Sequence, residues 1–274
     1  MNTLRVYAGL FLTFARNSLI RDMTFRANFL IETVSSTVWM LMNLGFYILV
    51  YQYTQQIGDW NQYEFFVFIA TGMFVNSLVQ SLFMPNAQEM SELVRTGGLD
   101  FAILKPIDAQ FLLSLRRVNW SSLGNFFLAI VLLIYALWHL PGVPYSPVSY
   151  VLYPLYIVCG VLIMYSVMIT LAATSIWMGR NQTLYDFWFY ITNFSRYPME
   201  IYRGNVLGNA LRMTFTFAIP VLVVINVPAG LMAKPLTSDY AALAPFALVA
   251  TVISLVLSRA IFQRSLASYR SASS

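Results

Sequence analysis

Thirty consecutive residues, Val148 to Trp177, carry no charged side chain. A helix needs about 20 apolar residues to cross the ~30 Å hydrocarbon core of a bilayer, so this run alone points to lipid as the solvent. Four more runs of spanning length read Ala27–Tyr53, Tyr63–Phe83, Gln110–Trp138 and Ala241–Phe262. A shorter one, Thr183–Tyr197, follows a tight turn around Arg180 and Asn181. Composition agrees: 59% of residues are hydrophobic and 10% charged, against roughly 45–50% and about 25% in soluble domains. No alternation of strand period broken by hairpin turns occurs, which argues against a membrane β-barrel. The expectation is an all-α polytopic membrane protein with six spans. It forms a single transmembrane domain over 1–274, with an interfacial N-terminal region (1–26), a membrane region (27–262) and a short tail (263–274).

The charges orient it. The chain has sixteen Lys and Arg and a formal net charge of +5. In a soluble protein that balance would suggest nucleic acid, but here the cations flank apolar runs, as cytoplasmic loops do. No nucleic-acid partner is expected. With both termini inside, Arg5, Arg16, Arg21, Arg26, Arg95, Lys105, Arg116, Arg117, Arg180, Arg259, Arg264 and Arg270 are cytoplasmic. Arg196, Arg203, Arg212 and Lys234 are not, and they cluster in one outer region. A multi-pass protein of the cell (inner or plasma) membrane follows. Arg5 and Arg16 interrupt the first stretch, so it reads as no signal peptide. Residues Thr3–Ser18 instead place Leu4, Tyr7, Ala8, Phe11, Phe14 and Ala15 on one face, an amphipathic helix for the cytoplasmic interface.

Catalytic signatures are missing from the sequence. It holds no Gly-Lys pair for a phosphate-cradling loop, no H-E-x-x-H, no C-x-x-C and no G-x-S-x-G. With one cysteine, Cys159, and one histidine, His139, neither an internal disulfide nor a His/Cys metal site is expected. The chain reads as a non-enzyme that binds no cofactor itself.

The loop Pro85–Pro106 carries more information. Asn86 suits an N-cap and Glu89, three residues on, a capping box; Gly97 or Gly98 supplies the stop. Between them Met90, Leu93 and Val94 form an apolar face, with Glu89, Glu92 and Arg95 polar. Such a helix is either a turn element resting on the membrane or a docking element for a partner. On the second span Gly72, Asn76 and Gln80 recur on one side, where they either line a pathway or join helices. Tyr190 is likewise either a pathway residue or an interfacial anchor.

The segment Arg95-Thr-Gly-Gly-Leu-Asp-Phe-Ala-Ile-Leu-Lys-Pro106, followed by Phe111-Leu-Leu-Ser-Leu-Arg-Arg117, resembles ABC type-2 exporter permeases. So does Ser195-Arg-Tyr-Pro-Met-Glu-Ile-Tyr202, followed by a short helix and Pro220. The resemblance covers essentially the whole chain, in the family's order. It implies six spans, a dimer with an identical or homologous permease, and two separate cytoplasmic ATPase subunits that bind the ATP and Mg. It implies that the helix Asn86–Thr96 docks on the ATPase, with Glu89, Glu92, Leu93, Arg95 and Thr96 as coupling residues. It also implies an outer gate of two short helices, Leu207–Ile219 and Val221–Leu231, broken at Pro220 and stopped near Pro228. Arg196, Pro198, Glu200, Arg203 and Pro220 belong to that gate, with Glu200 partnering Arg196 or Arg203. Arg203 departs from the turn former usual at its position. The competing topology makes Leu207–Met232 a full span, and the competing functions are a secondary transporter or channel working alone and a membrane scaffold. Against the former, no internal repeat with paired intramembrane charges is found.

Overall fold

The computed structural model describes residues 3–140, 147–178, 183–235 and 239–269. The expected turn at Arg180 and Asn181, outer-loop residues 141–146 and Arg270 lie outside the described residues. Twelve α-helices follow one another: α1 (Thr3–Thr24), α2 (Arg26–Tyr53), α3 (Gln62–Leu82), α4 (Met84–Arg95), α5 (Gly98–Ile103), α6 (Ala109–Leu115), α7 (Gly124–His139), α8 (Pro147–Met178), α9 (Thr183–Asn193), α10 (Val206–Met213), α11 (Val221–Ala233) and α12 (Asp239–Ser268). Five stretches are long and apolar enough to cross a membrane: α2, α3 with α4, the stretch from Ser121 through α7, α8 and α12. At eleven residues, about 16 Å, α9 is too short to cross alone.

Three boundaries differ from the sequence reading. The expected span Gln110–Trp138 is two elements: α6 ends at Leu115, and the spanning helix starts only at Ser121. Apolar counting misses this because Arg116, Arg117 and Asn119 sit inside the run and each takes a partner at the bundle end. Asn119 accepts hydrogen bonds from the Ser121 amide and hydroxyl through Oδ1 and gives its own N–H to the Ser81 carbonyl at 2.8 Å. Helix α1 runs to Thr24, and its face of Tyr7, Phe11, Phe14 and Ala15 turns toward protein, with Leu4 left 83% exposed. Along it, Tyr7 Oη accepts from the Asp108 N–H, Ser18 Oγ from the Val118 N–H, and the Ala15 carbonyl from Trp120 Nε1. Finally, Pro228 does not stop α11. The helix continues to Ala233, which a proline permits where protein surrounds the freed backbone.

All thirteen residues of α11 are buried. They pack among α3, α8 and α12, and this half-helix forms the centre of the bundle. At one end of the bundle stand α4–α6, α1 and the end of α12, the last joined to α8 by a Trp177 Nε1 hydrogen bond to Ser268. At the other end stand the α2–α3 loop, residues 199–203 and the start of α12.

Candidate functional site: an inner hairpin and an outer cap

The inner site grows from the continuation of α3 into α4. Only Phe83 separates them, and Pro85 is tolerated because a first-turn proline lacks an N–H that would be unpaired there anyway. This moves the helix start ahead of Asn86, which is therefore not an N-cap. Its buried side chain clasps the returning chain instead. Nδ2 donates to the Leu82 and Arg117 carbonyls at 2.9 and 2.7 Å, and Oδ1 accepts from the Arg117 N–H at 2.8 Å. Nor does Glu89 reach back to close a capping box. Its carboxylate binds the guanidinium of Arg116 and, at 3.1 Å, that of Arg117. The capping box is at Asn61 and Glu64, opening α3.

Gly97, in the left-handed region at φ 71°, ends the helix, as one of the two expected glycines. Met90 is buried and Leu93 and Val94 half-buried, in a cluster with Leu99, Leu112, Leu113 and Phe262. Of the five expected coupling residues, Glu89 and Leu93 thus face the protein. Glu92, Arg95 and Thr96 remain exposed at the tip. There Arg95 Nε donates to Glu92 at 2.9 Å and the Thr96 hydroxyl to the Glu92 carbonyl at 2.8 Å.

A second inner cluster was not anticipated. Asp108 caps α6, accepting from the Phe111 N–H at 2.8 Å, and binds the Arg259 guanidinium, with Nη1 at 3.0 Å. The same Nη1 reaches Gln110 Oε1 at 2.9 Å, and Gln110 Nε2 donates to Tyr165 Oη, which also pairs with Ser114. Asp108 therefore joins α6 and α12 through its carboxylate and α1 through its backbone N–H to Tyr7, and the chain of bonds continues to α8. Partial burial raises the Asp108 pKa, but the hydrogen bonds from Arg259 and the Phe111 amide outweigh it and hold the carboxyl below its ordinary value. A depressed carboxylate contributes stability above its unfolded pKa of about 3.9, lost as pH falls through the folded value. The full-length chain in nanodiscs is expected to lose thermal stability between about pH 5 and pH 3. Asp108→Asn should be less stable at neutral pH and lose less on acidification. An equal acid loss in both would show that Asp108 does not carry it. Sequence held one signal for this site, an Asp before a helix-forming run, but nothing that linked it to Arg259, 151 positions on.

The outer site is centred on Trp60, which is fully buried. Its Nε1 donates to Glu200 Oε2 at 3.2 Å and to Tyr240 Oη at 3.0 Å, and Tyr240 donates in turn to Glu200 Oε1. Lys234 Nζ stands 4.8 Å over the Trp60 ring and binds Glu64 at 3.1 Å and the Asp59 carbonyl at 2.6 Å. Glu200 therefore does not partner Arg196 or Arg203, as the sequence suggested. Its acceptors are taken by an indole and a phenol, uncharged donors that charge pairing alone does not reveal. Arg203 instead approaches Asp59 and Asp239 at 3.7 and 3.4 Å, and Arg196 lies over the Phe189 ring at 5.2 Å. Pro198 is buried ahead of the short turn Met199–Tyr202, and Pro220 opens α11.

Between Arg203 and Lys234 the chain makes one excursion. Val206–Ala218 and Val221–Ala233 meet at 86°. Both ends return to one residue: Arg203 to the Asp59 carboxylate, Lys234 to the Asp59 carbonyl. Asn226, fully buried in α11, accepts from the Met199 N–H at 2.9 Å and donates to the Leu222 carbonyl.

The residues expected to line a pathway, Asn76, Gln80 and Tyr190, differ in exposure. Asn76 is half-buried and bonds to the Gly72 carbonyl of its own helix, while Gln80 and Tyr190 are exposed. Among the described residues no group of three His, Cys, Asp or Glu side chains stands together to hold a metal ion. Residues 37–273 match the profile of a family described as ABC-2 family transporter protein. No curated protein and no solved structure matches the chain.

Proposed function

Because the chain belongs to the ABC-2 transporter family, we propose that it is the permease of an exporter driven by two separate ATPase subunits, paired with a second, identical or homologous permease. The observation that carries this reading is the rod Gln62–Arg95. Its 34 residues are about 51 Å long, well beyond the ~30 Å of hydrocarbon. Its tip stands clear of the bilayer, with polar Glu92, Arg95 and Thr96 outward and the opposite face fixed to the bundle. A partner that pushes on such a tip moves α3 directly. The partner ATPases bind the ATP and Mg; this chain supplies the path and the lever.

Orientation follows the cations: the α4–α6 end is cytoplasmic, and both termini lie on that side. The outer pair, α10 with its continuation to Ala218 and then α11, enters and leaves from the outside, as the shared anchor at Asp59 supports. Helix α1 lies at the cytoplasmic interface with Arg5 and Arg16 exposed. Helix α2 has no buried residue in the single chain, which leaves it free to face lipid or the second permease.

The tip separates docking from folding. Glu92 and Arg95 form an exposed pair, screened by solvent and contributing little to folding. Glu92→Ala with Arg95→Ala should therefore leave insertion and thermal stability unchanged while weakening co-purification of the ATPase subunit and its ATP hydrolysis in the reconstituted complex. Undiminished association and hydrolysis would overturn the docking assignment.

A further inference from the structure

The two halves of the outer excursion are held very differently. Every residue of α11 is buried, and its neighbours approach its backbone closely. Pro228 has no N–H to offer the Val224 carbonyl, and that carbonyl faces Gly160 of α8, where a Cβ would lie only 2.8 Å from it. Gly72 of α3 leaves room for the tip of the Ile225 side chain, and Gly230 of α11 lets the Tyr240 side chain close onto the helix. Asn226 ties the middle of the helix to Met199, and Lys234 ties its end to Asp59 and Glu64. Close-packed backbones of this kind do not slide without opening voids.

The preceding stretch, 205–219, is held less deeply: its backbone comes close to a neighbour at Gly208, where a Cβ would lie 2.5 Å from the Tyr202 carbonyl oxygen, just beyond Gly204. Val206, Leu207, Met213 and Phe217 are exposed. Its inward holds are few: a stacked pair between Phe215 and Phe194 at 4.2 Å, an edge contact between Phe217 and Phe246 at 5.0 Å, and Arg212 beside the Met199 sulfur. Joints bound it on both sides. Gly204 has φ 113° with open space around it, a conformation natural only to glycine. At the far end, Thr214–Ala218 is a π-turn running into Ile219–Pro220. Single π-turns inside helices are places where the regular bond ladder is already interrupted. The Thr216 hydroxyl there is buried with no hydrogen-bond partner among the described residues.

Taking the outer pair as re-entrant, we infer that it is not a lid of two helices: residues 205–219 form a strap that swings between Gly204 and Pro220, while α11 stays seated as a fixed floor. Opening then exposes the strap's inner side, including Thr216, and leaves α11 covered. Transport through the outer half requires only the strap to move.

The test uses the full-length chain in membrane vesicles of both orientations, in a Cys159→Ser background, with a membrane-impermeant maleimide. Thr216→Cys and Val227→Cys place near-isosteric thiols in two buried positions, one on the strap and one on α11. The expected result is labelling of Thr216→Cys from the outer side at least about tenfold faster than Val227→Cys, because protection tracks local opening. Adding Phe215→Ala, which removes the stack on Phe194, should speed strap labelling by about three- to tenfold and leave Val227→Cys unchanged. Should Thr216→Cys not insert, Ile219→Cys, half-buried on the same strap, replaces it. Equal rates from the outer side would overturn the strap and keep the re-entrant reading. Labelling of Thr216→Cys from the cytoplasmic side would overturn both.

Discussion

Gly230→Ala is expected to cost about 2–5 kcal/mol of stability. A Cβ at Gly230 would stand 2.6 Å from Tyr240 Cβ and 2.8 Å from its Cδ1. Those atoms are the root of a buried side chain and cannot swing aside without moving the ring. Overpacking of this kind costs about 1–3 kcal/mol. Moving the ring also withdraws the Tyr240 hydroxyl from Glu200 and from Trp60 Nε1, and a hydrogen bond to a charged group contributes about 1.5–3 kcal/mol. Tyr240→Phe keeps the ring and loses only the hydroxyl, so it should show the second cost alone. In the double variant Gly230→Ala, Tyr240→Gly the three atoms nearest the new Cβ are gone, and the two changes should be strongly non-additive. Thermal unfolding of the parent, the single variants Gly230→Ala, Tyr240→Phe and Tyr240→Gly, and the double variant in one detergent measures this directly. A Gly230→Ala protein within about 0.5 kcal/mol of the parent would mean that Tyr240 is not wedged against α11.

What the sequence made legible, and what it concealed, divides along one physical line. Long apolar runs, cations at one end and glycine or proline at breaks are local signals. They located five apolar stretches long enough to cross a membrane, one of them begun too early at Gln110 instead of Ser121, with the stop at Gly97, the apolar face of Met90, Leu93 and Val94, and the break at Pro220. Pairings across the bundle are not local. Asn86 carries the N-cap pattern in sequence, yet its amide is used on Arg117, 31 positions away. The same pattern at Asn61 and Glu64 is a true capping box, because the helix there begins after a loop rather than continuing from another helix. Glu200 looked like a partner for a nearby cation. Its actual partners, Trp60 and Tyr240, are uncharged and come from two other segments. Pro228 looked like a stop, and in water it would be one. Inside α11 the carbonyl it frees has Gly160 against it, a neighbour that no local pattern announces.

Charge reversal at Glu89 should be the most damaging change at the α4–α6 end of the bundle. Its carboxylate sits between Arg116 and Arg117 and is mostly shielded, with the side chain 19% exposed. Together with the Asn86 clasp, it fastens α4 to the segment that leads into α7. Glu89→Arg replaces the carboxylate that these two cations share with a third cation. The loss of charge-assisted hydrogen bonds alone amounts to about 3 kcal/mol, and repulsion adds to it. The hairpin should then part from the bundle and expose its backbone. In inside-out vesicles, trypsin should cut after Arg95 at least about tenfold faster than in the parent, since cleavage tracks local opening. Restoring an opposite pair with Glu89→Arg plus Arg116→Glu should recover much of the resistance, which a general packing defect would not allow. Glu89→Gln provides the finer measurement. It keeps an acceptor and removes the charge, so the tip remains folded and available to the proposed ATPase subunit. If α4 passes force to the bundle through this clamp, the Glu89→Gln complex should assemble normally while its permease-dependent ATP hydrolysis falls. Normal hydrolysis in Glu89→Gln, with trypsin resistance intact, would place the transmission elsewhere, and the Asp108–Arg259 contact between α6 and α12 would be the next to reverse.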